Sequence, residues 1–192
     1  MEPLATGPTA TWADYPALST QQRIEILNGT VYAMTAPSLA HQFLCTRLCE
    51  LLPAYFREKG CQVFTSPMDV KLSETDVVQP DLVVVCDRSQ LQGSHIEGPP
   101  ALVVEVLSLS SRARDRVRKL RLYAETGVRE YWLIEPSDQV VEVLLLDGNS
   151  YRIVGPFSAT DTLTSPSFED LVLPLEQLFS TEFGLLLSND DR

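Results

Sequence analysis

VVQPDLVVV at Val77–Val85 and ALVVEVLSLS at Ala101–Ser110 are the two stretches whose reading decides the fold. Leu82–Val85 and Leu102–Val104 are unbroken apolar runs rich in valine, the pattern of central strands buried on both faces. Each stretch also carries an acid: Asp81 opens the first strand and Glu105 lies near the end of the second. A carboxylate inside such a run costs desolvation energy unless it meets a metal, a cation or hydrogen-bond donors. Adjacent strands can bring the two acids together at one edge of a sheet, and oxygen ligands of that kind suit magnesium or manganese. The spacing fits equally well two strand-end residues held by backbone amides or arginines.

Downstream, a helix is expected from about Arg112 to Glu125, capped within Ser108–Ser111 and stopped by Gly127. Asp115, Lys119 and Tyr123 recur every four residues and so share one face. Asp115 and Lys119 can form an ordinary i,i+4 ion pair. If the helix packs over the ends of the acidic strands, Lys119 instead points at a scissile phosphate, where an ammonium orients water or offsets charge on phosphorus oxygens. Six of the fifteen cationic residues fall in this segment: Arg112, Arg114, Arg116, Arg118, Lys119 and Arg121. The five arginines are candidate nucleic-acid contacts, with a solvated helix face balanced by acidic neighbours as the plainer reading.

Upstream, Ile24–Leu27 and Val31–Met34 flank Asn28-Gly29, a dipeptide that tolerates positive φ and so closes a tight hairpin. Thr11 is placed to cap a short helix through Ala17, with Asp14 at the capping-box position. Ser38 caps a long helix from Leu39 to about Lys59, in which Pro53 forces a kink or a division and Gly60 marks the end. Short strands are expected at Gln62–Phe64 and Met68–Leu72, and after the helix at Glu130–Ile134, Val140–Leu146 and Tyr151–Val154, with a short helix at Leu175–Leu178. The order describes one α/β domain with a mixed central sheet flanked by helices, over residues 11–180, between an N-terminal tail (1–10) and a C-terminal tail (181–192).

The chain has 192 residues, 44% of them apolar and 21% charged, as in an ordinary folded domain. It contains neither a transmembrane-length apolar run nor the pattern of a signal peptide, so no membrane is involved and a cytoplasmic location is the default expectation. The net charge of −11 argues against nonspecific phosphate-backbone binding over the whole surface, though not against a local basic field. Cys45, Cys49, Cys61 and Cys86 make no CxxC pair, and neither a zinc framework nor a disulfide scaffold is expected from their spacing.

REILNG, APSLAH, PMDVKLSETDVVQPDLVVV and EVLSLSSRARDRVRKLRLYAETGVREYWLIEP together resemble a large prokaryotic family of restriction-endonuclease-like proteins, formerly a domain of unknown function and abundant in cyanobacteria. The resemblance runs from about Trp12 to Phe179 and implies a branch of the PD-(D/E)XK nuclease superfamily. It implies that Asp81 and Glu105 are the catalytic acids and metal ligands. Leu107 stands where the superfamily has its lysine, and Lys119 matches the lysine that replaces it in this family. Glu25 and His41 match the N-terminal acidic and histidine positions, Glu25 as a helper in anchoring the metal or biasing His41. Asp69, Asp115 and Tyr123 are supporting residues, Tyr123 orienting the lysine. The implied function is Mg²⁺-dependent hydrolysis of DNA phosphodiester bonds, with Mn²⁺ as substitute and a homodimer facing the two strands. A catalytically weak DNA-binding module and a non-enzymatic interaction domain are the alternatives, since fold does not determine chemistry.

Overall fold

The structure, a computed structural model, describes residues 9–108 and 112–190. The chain opens with a short helix α1 (Tyr15–Leu18) and a hairpin of β1 (Ile24–Leu27) and β2 (Thr30–Ala33). Asn28 and Gly29 take φ values of 49° and 71°, the doubly left-handed turn that the dipeptide favours. Helices α2 (Leu39–Leu51) and α3 (Pro53–Glu58) follow. Pro53 has no N–H to continue the first helix and begins the second at its first turn, where that loss is harmless. Next come β3 (Gln62–Thr65), β4 (Asp69–Ser73), β5 (Asp76–Val78), β6 (Leu82–Val85), β7 (Leu91–Gln92), β8 (His95–Glu97) and β9 (Leu102–Val106). A π-helical stretch, Arg114–Lys119, runs straight into α4 (Leu120–Thr126), which Gly127 ends in the left-handed conformation. Strands β10 (Glu130–Glu135), β11 (Val140–Asp147), β12 (Ser150–Ser158), β13 (Thr162–Thr164) and β14 (Val172–Pro174), then helix α5 (Thr181–Asp190), complete the chain.

The strands form two six-stranded sheets, so the mixed central sheet expected is present and an additional sheet packs beside it. The first has the order β2-β1-β5-β4-β8-β7 and the second β12-β11-β10-β9-β6-β3, with β13 and β14 as a separate ribbon. The additional sheet escapes the sequence pattern for a simple reason: β5, β7 and β8 are two or three residues long, too short to show a period-2 pattern.

Alternation along the second sheet sorts its side chains onto two cores. Leu82, Val84, Leu102, Val104, Trp132 and Ile134 pack against Leu44, Leu48, Leu52 and Phe56 of the α2–α3 region. Val83, Val85, Val103, Tyr131 and Leu133 face the other way, onto Leu27, Tyr32, Val70, Val78 and Ile96 of the first sheet and onto Tyr123 of α4. The β9-to-β10 connection joins two parallel strands, so its helix must cross one face of the sheet, and it crosses on this second side.

Three further expectations are corrected. Of the N-terminal tail, residues 1–8 lie outside the described part, but Ala10 is buried and its N–H bonds the Gly29 carbonyl. The segment expected as a C-terminal tail forms α5, whose Phe183 is fully buried beside Phe43 and Phe179. Cys61 and Cys86 form a disulfide. The antiparallel register explains it: Gln62 pairs with Val85, so the next positions outward are Cys61 and Cys86. Cysteine spacing cannot reveal a pairing that strand register creates. The helix cap expected within Ser108–Ser111 falls largely on residues 109–111, outside the described part; the Arg112 N–H bonds the Ser108 carbonyl.

Candidate active site

Strand register brings the two acids together. Leu82 of β6 lies opposite Val104 of β9 in an antiparallel pair, and one further step of that register sets Asp81 opposite Glu105. Both residues follow the parity of Val83 and Val103, so their side chains fall on the face covered by the first sheet and the crossover helix. Asp81 and Glu105 line one cleft of about 840 Å³.

One half of the site is closed. The Lys119 ammonium lies 2.7 Å from Glu25 Oε1, 2.8 Å from Glu105 Oε1 and 3.5 Å from Asp115 Oδ1. The Tyr123 hydroxyl donates to Glu105 Oε1 at 2.9 Å, and the Gln79 N–H to Glu25 Oε1 at 3.0 Å. Arg114 Nε stands 3.5 Å from Glu25 Oε2 and 3.9 Å from Asp115 Oδ1. Glu25, Asp115 and Lys119 are at most 2% exposed at the side chain. Burial pushes the Glu105 carboxyl well above the ordinary range; Lys119 opposes that shift, and Asp115, Asp81 and Glu25 add to it. For Lys119 burial acts downward, but Glu105, Glu25 and Asp115 outweigh it and the ammonium is held more firmly than usual. The helical ion pair of Asp115 and Lys119 forms, and the helix also packs so that the lysine reaches the strand acids Glu25 and Glu105. The segment is π-helical, a wide turn frequent at functional sites, and its two adjacent residues Arg114 and Asp115 both face inward.

The other half is open. Asp81 Oδ2 accepts the Val106 N–H at 2.8 Å and lies 3.0 Å from His41 Nε2, with both side chains 13% exposed. Ser38 caps α2 by accepting the His41 N–H, which fixes His41 in the first turn of that helix. Cys45, one turn later, places Sγ 3.6 Å from His41 Nδ1.

The donor set fits a hard divalent cation. Asp81 Oδ1 and Glu105 Oε2 make no hydrogen bond or ion pair with the described residues, while their sister oxygens are committed to His41 and Val106, and to Lys119 and Tyr123. Lys119 lies between Glu25, Glu105 and Asp115, and Arg114 stands near Glu25 and Asp115, so with Asp81 the carboxylates of the cluster outnumber these two cations. Glu25 Oε2 is buried with no hydrogen-bond partner among the described residues. A cation between Asp81 and Glu105 relieves that excess, and a raised carboxyl pKa is how the metal-free cluster relieves it.

The remaining predicted residues divide. Asp69 stands outside the cleft, accepting Tyr15 Oη at 2.6 Å and Gln79 Nε2 at 2.8 Å; it reaches the site only through Gln79, which donates to Glu25. Glu25 is not against His41 and does not line the cleft; it holds Lys119 from behind. Of the five arginines only Arg112 and Arg114 line the cleft. Arg116 pairs with Glu142, Arg121 with Glu125, and Arg118 stacks over Tyr32, so no continuous basic stripe forms. Arg23, Cys45 and Glu135 line the cleft without having been singled out. A signal for Arg23 existed, since it lies two residues before Glu25 at the mouth of β1, on the same parity. Cys45 lies four residues after His41 on one face of α2, and this helical spacing is the signal that places a thiol beside the histidine.

A two-sheet α/β fold with paired acids at the ends of adjacent strands and a lysine brought in on the crossover helix defines a restriction-endonuclease-like protein. The family model of Uma2, described as "Putative restriction endonuclease", matches residues 12–176, and the chain belongs to this family. The uncharacterized protein slr1290 of Synechocystis sp. (strain ATCC 27184 / PCC 6803 / Kazusa) is 28% identical over 145 residues, 74% of this chain and 76% of the relative. A second uncharacterized protein of the same strain, sll1609, is 28% identical over 142 residues, 69% of this chain and 78% of that one. The fold is similar to the crystal structure of "a putative nuclease belonging to DUF820" from Anabaena variabilis ATCC 29413, with a TM-score of 0.73 at 18% identity, covering 88% of this chain and 97% of that one.

Proposed function

We propose that the protein is a divalent-metal-dependent endodeoxyribonuclease. The observation that carries the reading is the meeting of Asp81 and Glu105 in one cleft, each with one committed oxygen and one without a partner among the described residues, in front of an enclosed Lys119. Asp81 and Glu105 are the residues that would hold Mg²⁺, or Mn²⁺ in its place. When bound, such an ion would supply Lewis-acid polarisation of the scissile phosphate and a lowered pKa for the attacking water.

The chain's own residues do the rest. Glu105, Glu25 and Asp115 hold Lys119 protonated, and its charge orients Glu105 and offsets negative charge growing on the phosphorus oxygens. Tyr123 sets the orientation of Glu105, and Glu25 sets that of Lys119. His41 and the Val106 amide hold Asp81 Oδ2, which leaves Oδ1 to the metal. Arg23, Arg112 and Arg114 are arginines that line the cleft and would receive the DNA backbone there, while the net negative charge of the chain disfavours binding elsewhere.

The test is incubation of the protein with supercoiled and linear DNA at low salt, with Mg²⁺, with Mn²⁺ and with a chelator, beside folded Asp81→Asn and Lys119→Met variants. Cleavage that needs the metal and is lost in both variants is the expected result. Saturable metal binding without cleavage of any DNA offered points to a sequence or partner requirement. Neither metal binding nor cleavage favours the non-enzymatic scaffold.

A further inference from the structure

The open half of the cleft carries a donor set of which the nuclease reading employs His41 and Asp81 otherwise and leaves Cys45 without a role. His41, Cys45 and Asp81 each present a ligand atom, and these atoms lie within 4.8 Å of one another. Among the described residues no other group of three histidine, cysteine or carboxylate side chains is so close. His41 and Cys45 sit one turn apart on α2, a helix anchored by its Ser38 cap and by Leu44 and Leu48 in the core, so their spacing is built in. Asp81 is held from the opposite side by the Val106 N–H.

The chemistry of this trio differs from that of the acid pair. A thiolate and an imidazole are poor ligands for magnesium and good ones for zinc and its neighbours. One imidazole, one thiolate and one carboxylate make three protein ligands of a tetrahedral centre, with the fourth position open to the cleft that all three residues line. We infer that His41, Cys45 and Asp81 form a second metal site, specific for Zn²⁺ or a similarly thiophilic divalent cation, and that it competes with the magnesium site for Asp81. Binding replaces the His41–Asp81 and His41–Cys45 contacts with three ligand bonds and releases the thiol proton to solvent. The site itself does not depend on nuclease activity; antagonism of cleavage by zinc rests on that reading as well.

Co²⁺ titration of the full chain under reducing, chelator-free conditions tests the site without DNA. The wild type is expected to develop a thiolate-to-cobalt charge-transfer band and the intense visible bands of a tetrahedral ion, and to lose both on addition of Zn²⁺. Cys45→Ser and His41→Ala, each checked for fold by circular dichroism, abolish the charge-transfer band or weaken it by a large factor. Cys49→Ser, which alters the exposed cysteine one turn further along, leaves it intact. In competition with a chromophoric chelator, Cys45→Ser lowers Zn²⁺ affinity by at least about tenfold, the loss seen even for residues that only support a ligand. Excess Mg²⁺ weakens Co²⁺ binding because Asp81 is shared. A wild type without the charge-transfer band, or a band that survives in Cys45→Ser, overturns the site. A band unaffected by Mg²⁺ overturns the competition. If the band behaves as expected and no DNA is cleaved under any condition, the site stands independently of the nuclease reading.

Discussion

The two halves of the cleft are built from the same strand ends and solve opposite problems. Around Lys119 three carboxylates are buried with the ammonium within 2.7–3.5 Å of each, and it donates to Glu105. Around Asp81 the side chains remain partly exposed, and among the described residues one oxygen is left uncommitted. The closed half is therefore part of the fold's stability as well as its chemistry. The open half carries chemistry that the fold does not need. Buried charge clusters seldom stabilise relative to an apolar replacement, but removing one member leaves the others uncompensated.

The largest effect should come from the centre of the closed half. Lys119→Ala strands Glu25, Glu105 and Asp115 in a buried pocket and is expected to cost about 3–5 kcal/mol in urea unfolding. The Lys119→Met variant, which keeps the stem's packing, loses less than Lys119→Ala if the pocket protonates to compensate. Equal, small losses in both would break the contrast between the halves. Tyr123→Phe removes a single bond from Glu105 without changing shape, and is expected to destabilise by about 1–2 kcal/mol. It should weaken Mg²⁺ binding as well, because Glu105 loses one of the groups that orient it.

Asp81→Asn is the matching change in the open half. It retains an acceptor for the Val106 N–H and removes a charge that is partly solvated. Stability is expected to change by no more than about 1 kcal/mol while metal binding and cleavage are lost. A stability loss as large as that of Lys119→Ala would show that the two halves are one unit.

The halves also differ in how protons follow the metal. In the metal-free protein burial holds the Glu105 carboxyl above its ordinary value of 4.5, so a fraction is protonated at pH values where an exposed glutamate is not. Mg²⁺ requires the carboxylate. Binding therefore releases a proton below the raised pKa and none above it, and apparent affinity rises with pH through that window. Calorimetry in two buffers of different ionisation enthalpy measures the released proton directly. Proton uptake, or affinity that falls as pH rises, contradicts the assignment of Glu105 as a ligand.

Sequence made some of this legible and hid the rest for physical reasons. Asp81 and Glu105 stand out because a carboxylate in an apolar strand demands an explanation, and Lys119 because its helical spacing aligns it with Asp115 and Tyr123. The NG hairpin, the Pro53 break and the Gly127 stop are local rules that tertiary context did not override. Glu25 is different. That it faces Lys119 and not His41 depends on how the first sheet packs on the second, and no short-range pattern encodes that angle. The Cys61–Cys86 pairing and the first sheet were hidden for the same reason, being products of register and of strands too short to show a period.

The smallest effect tests the surface rather than the cleft. Six cations in ten residues look in the sequence like a DNA-binding stripe, but the fold spreads them over different surroundings. Arg121 pairs with Glu125 in the open, where water and salt screen the interaction, and it stands away from the cleft. Arg121→Ala is therefore expected to leave the melting temperature and DNA retention unchanged within error. Arg23→Ala, by contrast, removes a cation from the cleft wall and should weaken DNA binding and reduce its salt dependence by about one counterion. Measured as binding against salt concentration on one DNA duplex, the two variants separate a field focused at the cleft from one spread along the helix. If Arg121→Ala lowers the slope and Arg23→Ala does not, DNA approaches over the helix face, and the acids of the cleft are too far from its phosphates to act on them.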